Sequence, residues 1–155
     1  MPEQDIAREG FRLITPLRVR YHEVDLQNIV FNANYLIYAD IGITEYYRAL
    51  PPLRAHPDGV MDYFGPEHEV VVRHAELDYR ASACADDMLD LGVRIIRFGN
   101  TSFTAEVAIF RSDMLLTVVR LRYVHCHVAT RRPVALPSSF RALVEAFETV
   151  APESA

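Results

Sequence analysis

The stretch "VRYHEVDLQNIVFNANYLIYADIGITEYYRAL", residues 19–50, decides how the rest of the chain must be arranged. It continues an alternating, partly β-branched run, 17–21, whose period of two predicts a strand. The polar break Asp25-Leu26-Gln27-Asn28 ends that run. Residues 33–50 then read as a helix, because Leu36, Ala39, Ile43, Tyr47 and Leu50 recur at helical spacing and Pro51-Pro52 stop it. Ile37, Tyr38, Ile41 and Tyr46 fall on its other faces, which predicts a helix apolar nearly all round and wrapped by the rest of the protein. A lone acid, Asp25, thus stands just ahead of a helix with little reason to face water.

Working outward, residues 51–68 are rich in proline and glycine and read as a loop. Four strands follow, at 70–80, 89–98, 101–111 and 115–128. In the first of them Ala75, Leu77 and Tyr79 share one face, with His74, Glu76 and Asp78 on the other. The tight links "GN" and "SDM" make the last three antiparallel neighbours. A final helix is predicted over 140–149, capped by Ser138 or Ser139. The first ten residues read as frayed and "APESA" (151–155) as a tail. The expected fold is α+β: one domain over 1–155, its core about 17–140 and its C-terminal helix within 138–150. An antiparallel sheet bent around one apolar helix is the economical arrangement, since each buries the other's apolar face.

Composition narrows the function classes. A chain of 155 residues can bury about two thirds of its unfolded surface. A net charge of −5 argues against nucleic acid as the main partner, which would need a basic face. The longest apolar runs, such as "LLTVV" (115–119), are too short to span a bilayer, and the polar start "MPEQDIAREG" has no leader pattern. No membrane association is expected, and the cytoplasm is the expected compartment. Two cysteines, Cys84 and Cys126, form no disulfide scaffold and read as buried free thiols. "HCH" (125–127) sets two histidines on one strand face, a spacing zinc can use, but His22, His56, His68 and His74 are scattered and no metal site is predicted. Gly-x-Ser-x-Gly, P-loop and dinucleotide patterns are missing from the sequence.

An Asp before a helix is usually a cap or turn residue. In a partly desolvated cleft the same carboxylate is a base or nucleophile, and the helix's first amides, unpaired and at the positive end of its dipole, polarise a carbonyl. A second pattern decides between these roles. Asp25, Ile29, Val30, Phe31, Asn34 and Tyr35, together with "RFGNTSFTAEV" (97–107) and "RRPVALP" (131–137), resemble the hotdog-fold acyl-coenzyme A thioesterases of the 4-hydroxybenzoyl-coenzyme A type. The resemblance runs over about residues 17–140.

That resemblance implies a hotdog fold, hydrolysis of an acyl-CoA to a carboxylic acid and free CoA, and no cofactor. It makes Asp25 the catalytic base or nucleophile and gives the main-chain N–H of Asn32 to the thioester oxygen. It assigns Asn34, Tyr35, Asn100, Ser102 and Arg132 to substrate, Arg132 at the CoA phosphates with Arg131 and Arg97 as helpers. It implies a homodimer joined edge to edge, with a tetramer as the further assembly step. Departures are Asn28 where the family has Gly, Asn32 where relatives carry His or Tyr, and "GNT" (99–101) where the benzoyl enzyme has a basic turn. The alternatives are a hydrolase of carrier-protein-bound acyl thioesters, a non-catalytic acyl-thioester-binding module, and a dehydratase, for which His22 is badly placed. Asp40, on the helix, is expected to pair with a neighbouring polar group, and Glu45 to be a surface or interface charge.

Overall fold

The structure, a computed structural model, describes residues 6–51 and 62–155. The expected loop 51–68, with its His56, lies largely outside them. The elements are β1 (Leu13–Arg18), α1 (Asn34–Ala49), β2 (His68–Tyr79), β3 (Met88–Phe98), β4 (Ser102–Arg111), β5 (Met114–His127), α2 (Ser138–Phe147) and β6 (Glu153–Ser154). Short 3₁₀ turns occupy Arg8–Gly10 and Tyr21–Glu23. The first strand therefore ends before Tyr21. Glu23 causes this: its carboxylate takes the Arg20 backbone N–H at 2.8 Å and the Arg20 guanidinium, folding 21–23 into a turn.

The strand order is β1-β3-β4-β5-β2, with β6 parallel to β3. The two tight links give the antiparallel neighbours β3–β4 and β4–β5 as expected. By contrast β2 crosses over to pair with β5, leaving β2 at one edge of the sheet. Bulges at Val72/His74 and Ile95/Arg97 bend the strands.

Helix α1 packs on the concave side, against β1, β3, β4 and β5. Its approach to β3 is close at Gly42, where a Cβ would meet Val93 Cγ2 at 2.9 Å. Tyr35, Tyr38, Ala39, Ile43 and Tyr46 join Leu91, Val93, Phe103, Val107, Val119 and Leu121 in the main core. The helix is not apolar-buried all round, however: Leu36 (39%), Ile37 (54%) and Asp40 lie exposed, because one sheet covers only one side of it.

Four further expectations change. The N-terminal residues are not frayed throughout, since Ile6 and Phe11 are buried on the convex side against Ala108, Phe110 and Val118. The C-terminal tail is held too: Glu153–Ser154 pair with β3 and the Ala155 amide donates to the Phe98 carbonyl at 2.9 Å. No serine caps α2, because the helix begins at Ser138 itself, with Pro137 in the capping position. The proline ring presets its φ, −57°, for a helix entry. Cys126 is buried but Cys84 is exposed, in the β2–β3 connection.

Candidate active site

The segment joining β1 to α1 is a clipped loop. The Asp25 amide donates to the Ile29 carbonyl and the Asn28 amide to the Asp25 carbonyl, each at 3.0 Å, and Val24 bridges Val30. Closing so short a turn needs a left-handed residue, and Asn28 supplies it at φ 60°. Asp25 is half-buried at the turn's base. Its Oδ1 accepts the Gln27 amide at 2.7 Å, while Oδ2 has no partner among the described residues.

Two side chains brace this loop against the helix. Asn34 Nδ2 donates to the Glu23 carbonyl at 2.8 Å, so its amide is engaged within the protein rather than turned to a ligand. Tyr38, one turn further on, donates to Glu23 Oε2 at 2.7 Å. Glu23 is only 4% exposed. Burial pushes its carboxyl pKa up, but bonds from the Arg20 amide, the Tyr38 hydroxyl and the Arg20 guanidinium outweigh that and hold it below its ordinary value. Sequence reading missed Glu23, because its importance comes from Tyr38, fifteen residues away.

The first turn of α1 is wound tightly, with Asn34, Tyr35 and Leu36 amides donating to the carbonyls three residues before them. The amides of Asn32 and Ala33 are left with no acceptor among the described residues. They lie at the helix's positive end. Beside them is a cleft of about 250 Å³ lined by Ile29, Val30, Asn32, Tyr35, Tyr79 and residues 80–82. Tyr35 is buried; its hydroxyl accepts the Ala83 amide at 2.9 Å and its ring meets Tyr38 and Tyr79 edge-on. Tyr79, on the edge strand β2, donates to the Asn32 carbonyl at 3.1 Å, tying the helix entrance to the sheet edge. Asp25 belongs to the loop flanking this cleft but is not one of its lining residues.

The remaining predicted residues lie elsewhere. Asn100 presents its carbonyl to the Leu136 amide at 2.9 Å, and Ser102 lines the convex sheet face, so neither adjoins the cleft of its own chain. Arg132 is exposed and its side chain is unpaired among the described residues, whereas Arg131 is committed to Glu69. Asp40 has no polar partner for its carboxylate among the described residues, and Glu45 pairs with Arg48 on the helix surface. His22 sits in the 3₁₀ turn rather than on a strand.

His68 is not scattered as its sequence position implies. Its ring lies 5.1 Å from that of His125 and 5.5 Å from that of His127. His125 uses Nδ1 to donate to the carbonyls of Val134 and Ala135, at 3.0 and 3.1 Å, which clips the exit segment onto β5. Among the described residues no three His, Cys, Asp or Glu side chains are arranged to hold a metal. Likewise no helix among them is long and apolar enough to cross a membrane.

An antiparallel sheet curled on a central helix, with a carboxylate loop at the helix entrance, is the architecture of hotdog enzymes. The thioesterase superfamily family model matches residues 27–118, and the chain belongs to that superfamily. An acyl-CoA thioester hydrolase, YbgC, of Escherichia coli O6:H1 is 28% identical over 125 residues, 80% of this chain and 89% of that protein. The acyl-CoA thioesterase YbgC of Haemophilus influenzae is 24% identical over 129 residues, 82% of this chain and 90% of its own. A Thermus thermophilus thioesterase, solved as a complex with coenzyme A and Zn, superimposes with a TM-score of 0.75 at 25% identity, covering 92% of this chain and 98% of that one.

Proposed function

We propose that the protein is an acyl-CoA thioester hydrolase, releasing a carboxylic acid and free CoA. The observation that carries this reading is the pair of unpartnered amides, Asn32 and Ala33, opening on a cleft flanked by the Asp25 loop. A thioester carbonyl oxygen set against the Asn32 N–H gains a donor where negative charge develops. Asp25 Oδ2 is the proton acceptor for water, whose hydroxide adds to the carbonyl carbon; the tetrahedral intermediate expels the thiolate, which takes up a proton. As a nucleophile, Asp25 would add to the carbonyl carbon and expel the thiolate, which takes up a proton, leaving a mixed anhydride that water hydrolyses to the carboxylic acid and the free Asp25 carboxylate. Both routes use the same carboxylate, and both need the cleft closed from bulk water.

Closure is the role we assign to a second subunit. Among the described residues no strand pairs with β2 on its outer side, and β2 carries exposed Val71, Val72 (53%) and Tyr79 (51%). Such an edge invites pairing with another copy. A homodimer joined there brings the partner's strands to the mouth of the cleft, and pairing of dimers gives a tetramer. The similarity to the acyl-CoA thioesterases of Haemophilus influenzae and Escherichia coli supports CoA as carrier.

The test is a thiol-release screen across short, long and aromatic acyl-CoA esters. Wild-type protein should release thiol from at least one class, and Asp25→Ala should lower kcat about 10²–10⁴-fold, the usual contribution of a positioned base. Full activity in Asp25→Ala would refute the mechanism.

A further inference from the structure

Asn32 carries the amide assigned above to the thioester oxygen, and the peptide groups on its two sides are held by different parts of the fold. The peptide before it contains that N–H together with the Phe31 carbonyl, which accepts the Asn34 amide at 2.9 Å. Asn34 is itself pinned by its side chain. Its Nδ2 donates at 2.8 Å to the Glu23 carbonyl, which also takes the Phe31 amide at 2.9 Å. All of these bonds lie within the loop and the first turn of α1.

The peptide after Asn32 is held from outside. Within the helix its carbonyl meets only the Tyr35 amide, at 3.4 Å, longer than a usual N–H···O bond. The shorter bond comes from β2, where the Tyr79 hydroxyl donates to the same carbonyl at 3.1 Å. The pleat of the strand explains how Tyr79 reaches it. Leu77, two residues earlier, packs against the main core, so Tyr79 is turned to the same concave side. Its ring meets Tyr35 edge-on, 5.6 Å between centroids. Tyr79 and Asn32 both line the cleft, and two bonds at Ala83 join the same walls. The Ala83 amide donates to the Tyr35 hydroxyl at 2.9 Å, and the Val30 amide to the Ala83 carbonyl at 2.8 Å.

Two effects on a developing oxyanion follow from the Tyr79 bond. A donor contributes most when it is aimed before the charge forms, because nothing then has to reorient during the reaction. Carbonyls anchored on both sides of Asn32 fix its backbone dihedrals and hence the direction of its N–H. The second effect is electrostatic. A bare Asn32 carbonyl would set a negative partial charge beside the oxygen that the N–H of the same residue binds. The Tyr79 proton offsets that charge.

We propose that Tyr79 is a positioning residue for thioester hydrolysis: its hydroxyl holds and masks the Asn32 carbonyl, so that the Asn32 N–H is aimed at the thioester oxygen. This role rests on the hydrolase reading above and adds to it a side chain that acts through the backbone donor.

The experiment uses Tyr79→Phe, which deletes the hydroxyl and keeps the ring. Variant and wild type are compared in hydrolysis of the best acyl-CoA ester and in thermal unfolding. Infrared difference spectra are taken of a bound ketone analogue, in which a methylene replaces the thioester sulfur and the carbonyl is isotope-labelled. The kcat should fall about five- to tenfold, the scale of one net hydrogen bond. KM should stay within about twofold, as for an interaction that tells mainly in the transition state. The carbonyl stretch of the bound ketone should move to higher wavenumber because its donor is less well aimed, while Tm stays within a few degrees of wild type. A wild-type kcat with the stretch unmoved would overturn the proposal and leave hydrolysis standing. A lowered kcat with the stretch unmoved would overturn it too, making Tyr79 a packing or substrate contact. A wild type that binds the ketone but hydrolyses no ester would sink the hydrolase reading itself. A stretch that still moves in Tyr79→Phe would then leave the aiming of Asn32 by Tyr79 in place.

Discussion

Glu23 and Asp25 lie two residues apart and have opposite surroundings. Glu23 is buried and saturated by Arg20 and Tyr38, whereas Asp25 spends one oxygen on its own turn and keeps the other unpartnered. Tyr38→Phe should cost about 1–2 kcal/mol of unfolding free energy, because it removes one donor from a buried carboxylate. The pH dependence follows from the sign of the shift. A carboxyl held below its ordinary value in the fold stabilises the native state above that value and loses the contribution as pH falls through the lower, folded value. Urea unfolding of wild type and Glu23→Gln should therefore differ at neutral pH and converge in acid; a gap that persists unchanged at low pH would contradict it. Asn32 makes the complementary case. The donor assigned to it belongs to the backbone, so Asn32→Ala should keep kcat within about threefold, and a loss comparable to that of Asp25→Ala would move the role to the side chain. The place of Asp25 and Asn32 in the loop ahead of the helix was legible because their spacing to Asn34 and Tyr35 is local. Glu23 was not, since "YHE" (21–23) says nothing of the tyrosine that meets it across the loop.

At the scale of elements, strands β3, β4 and β5 were readable from period-two alternation and two short links, both local signals. The partner of β2 was not, because a crossover to β5 is decided by how the sheet closes on α1, not by the sequence between them. The N-terminal segment shows the same limit. Ile6 and Phe11 look isolated in sequence, yet Ala108, Phe110 and Val118 align across β4 and β5 to receive them. Gly92 makes room for this second core: a Cβ there would meet Phe11 Cγ at 2.7 Å. Gly92→Ala should therefore destabilise the fold by about 1–3 kcal/mol, the usual range for overpacking. Phe11→Leu in the same background should recover part of the loss by withdrawing the ring. Thermal unfolding of the single and double variants checks this, and additive losses would argue that the contact is unimportant.

For the whole molecule, the proposed site calls for two copies. One sheet leaves Leu36 and Ile37 of α1 and the apolar edge of β2 in water, which explains why the expectation of a helix covered on all sides fails for a single chain. Val72→Lys places a charge on that edge and should shift the protein toward monomer by size-exclusion with light scattering. Activity should fall with the dimer, and a fully active monomer would contradict the shared site. The family could be read from sequence before any of this, through the Asp25–Tyr35 spacing and two later motifs, whereas the acyl group could not, because no local pattern encodes the cleft's shape. The most direct test is single-turnover thiol release from the best acyl-CoA ester by wild type and Asp25→Asn, with circular dichroism and light scattering matched. The account expects the chemical step to slow at least about a hundredfold in the variant while ester binding is retained. An Asp25→Asn protein that releases thiol at the wild-type rate would contradict it.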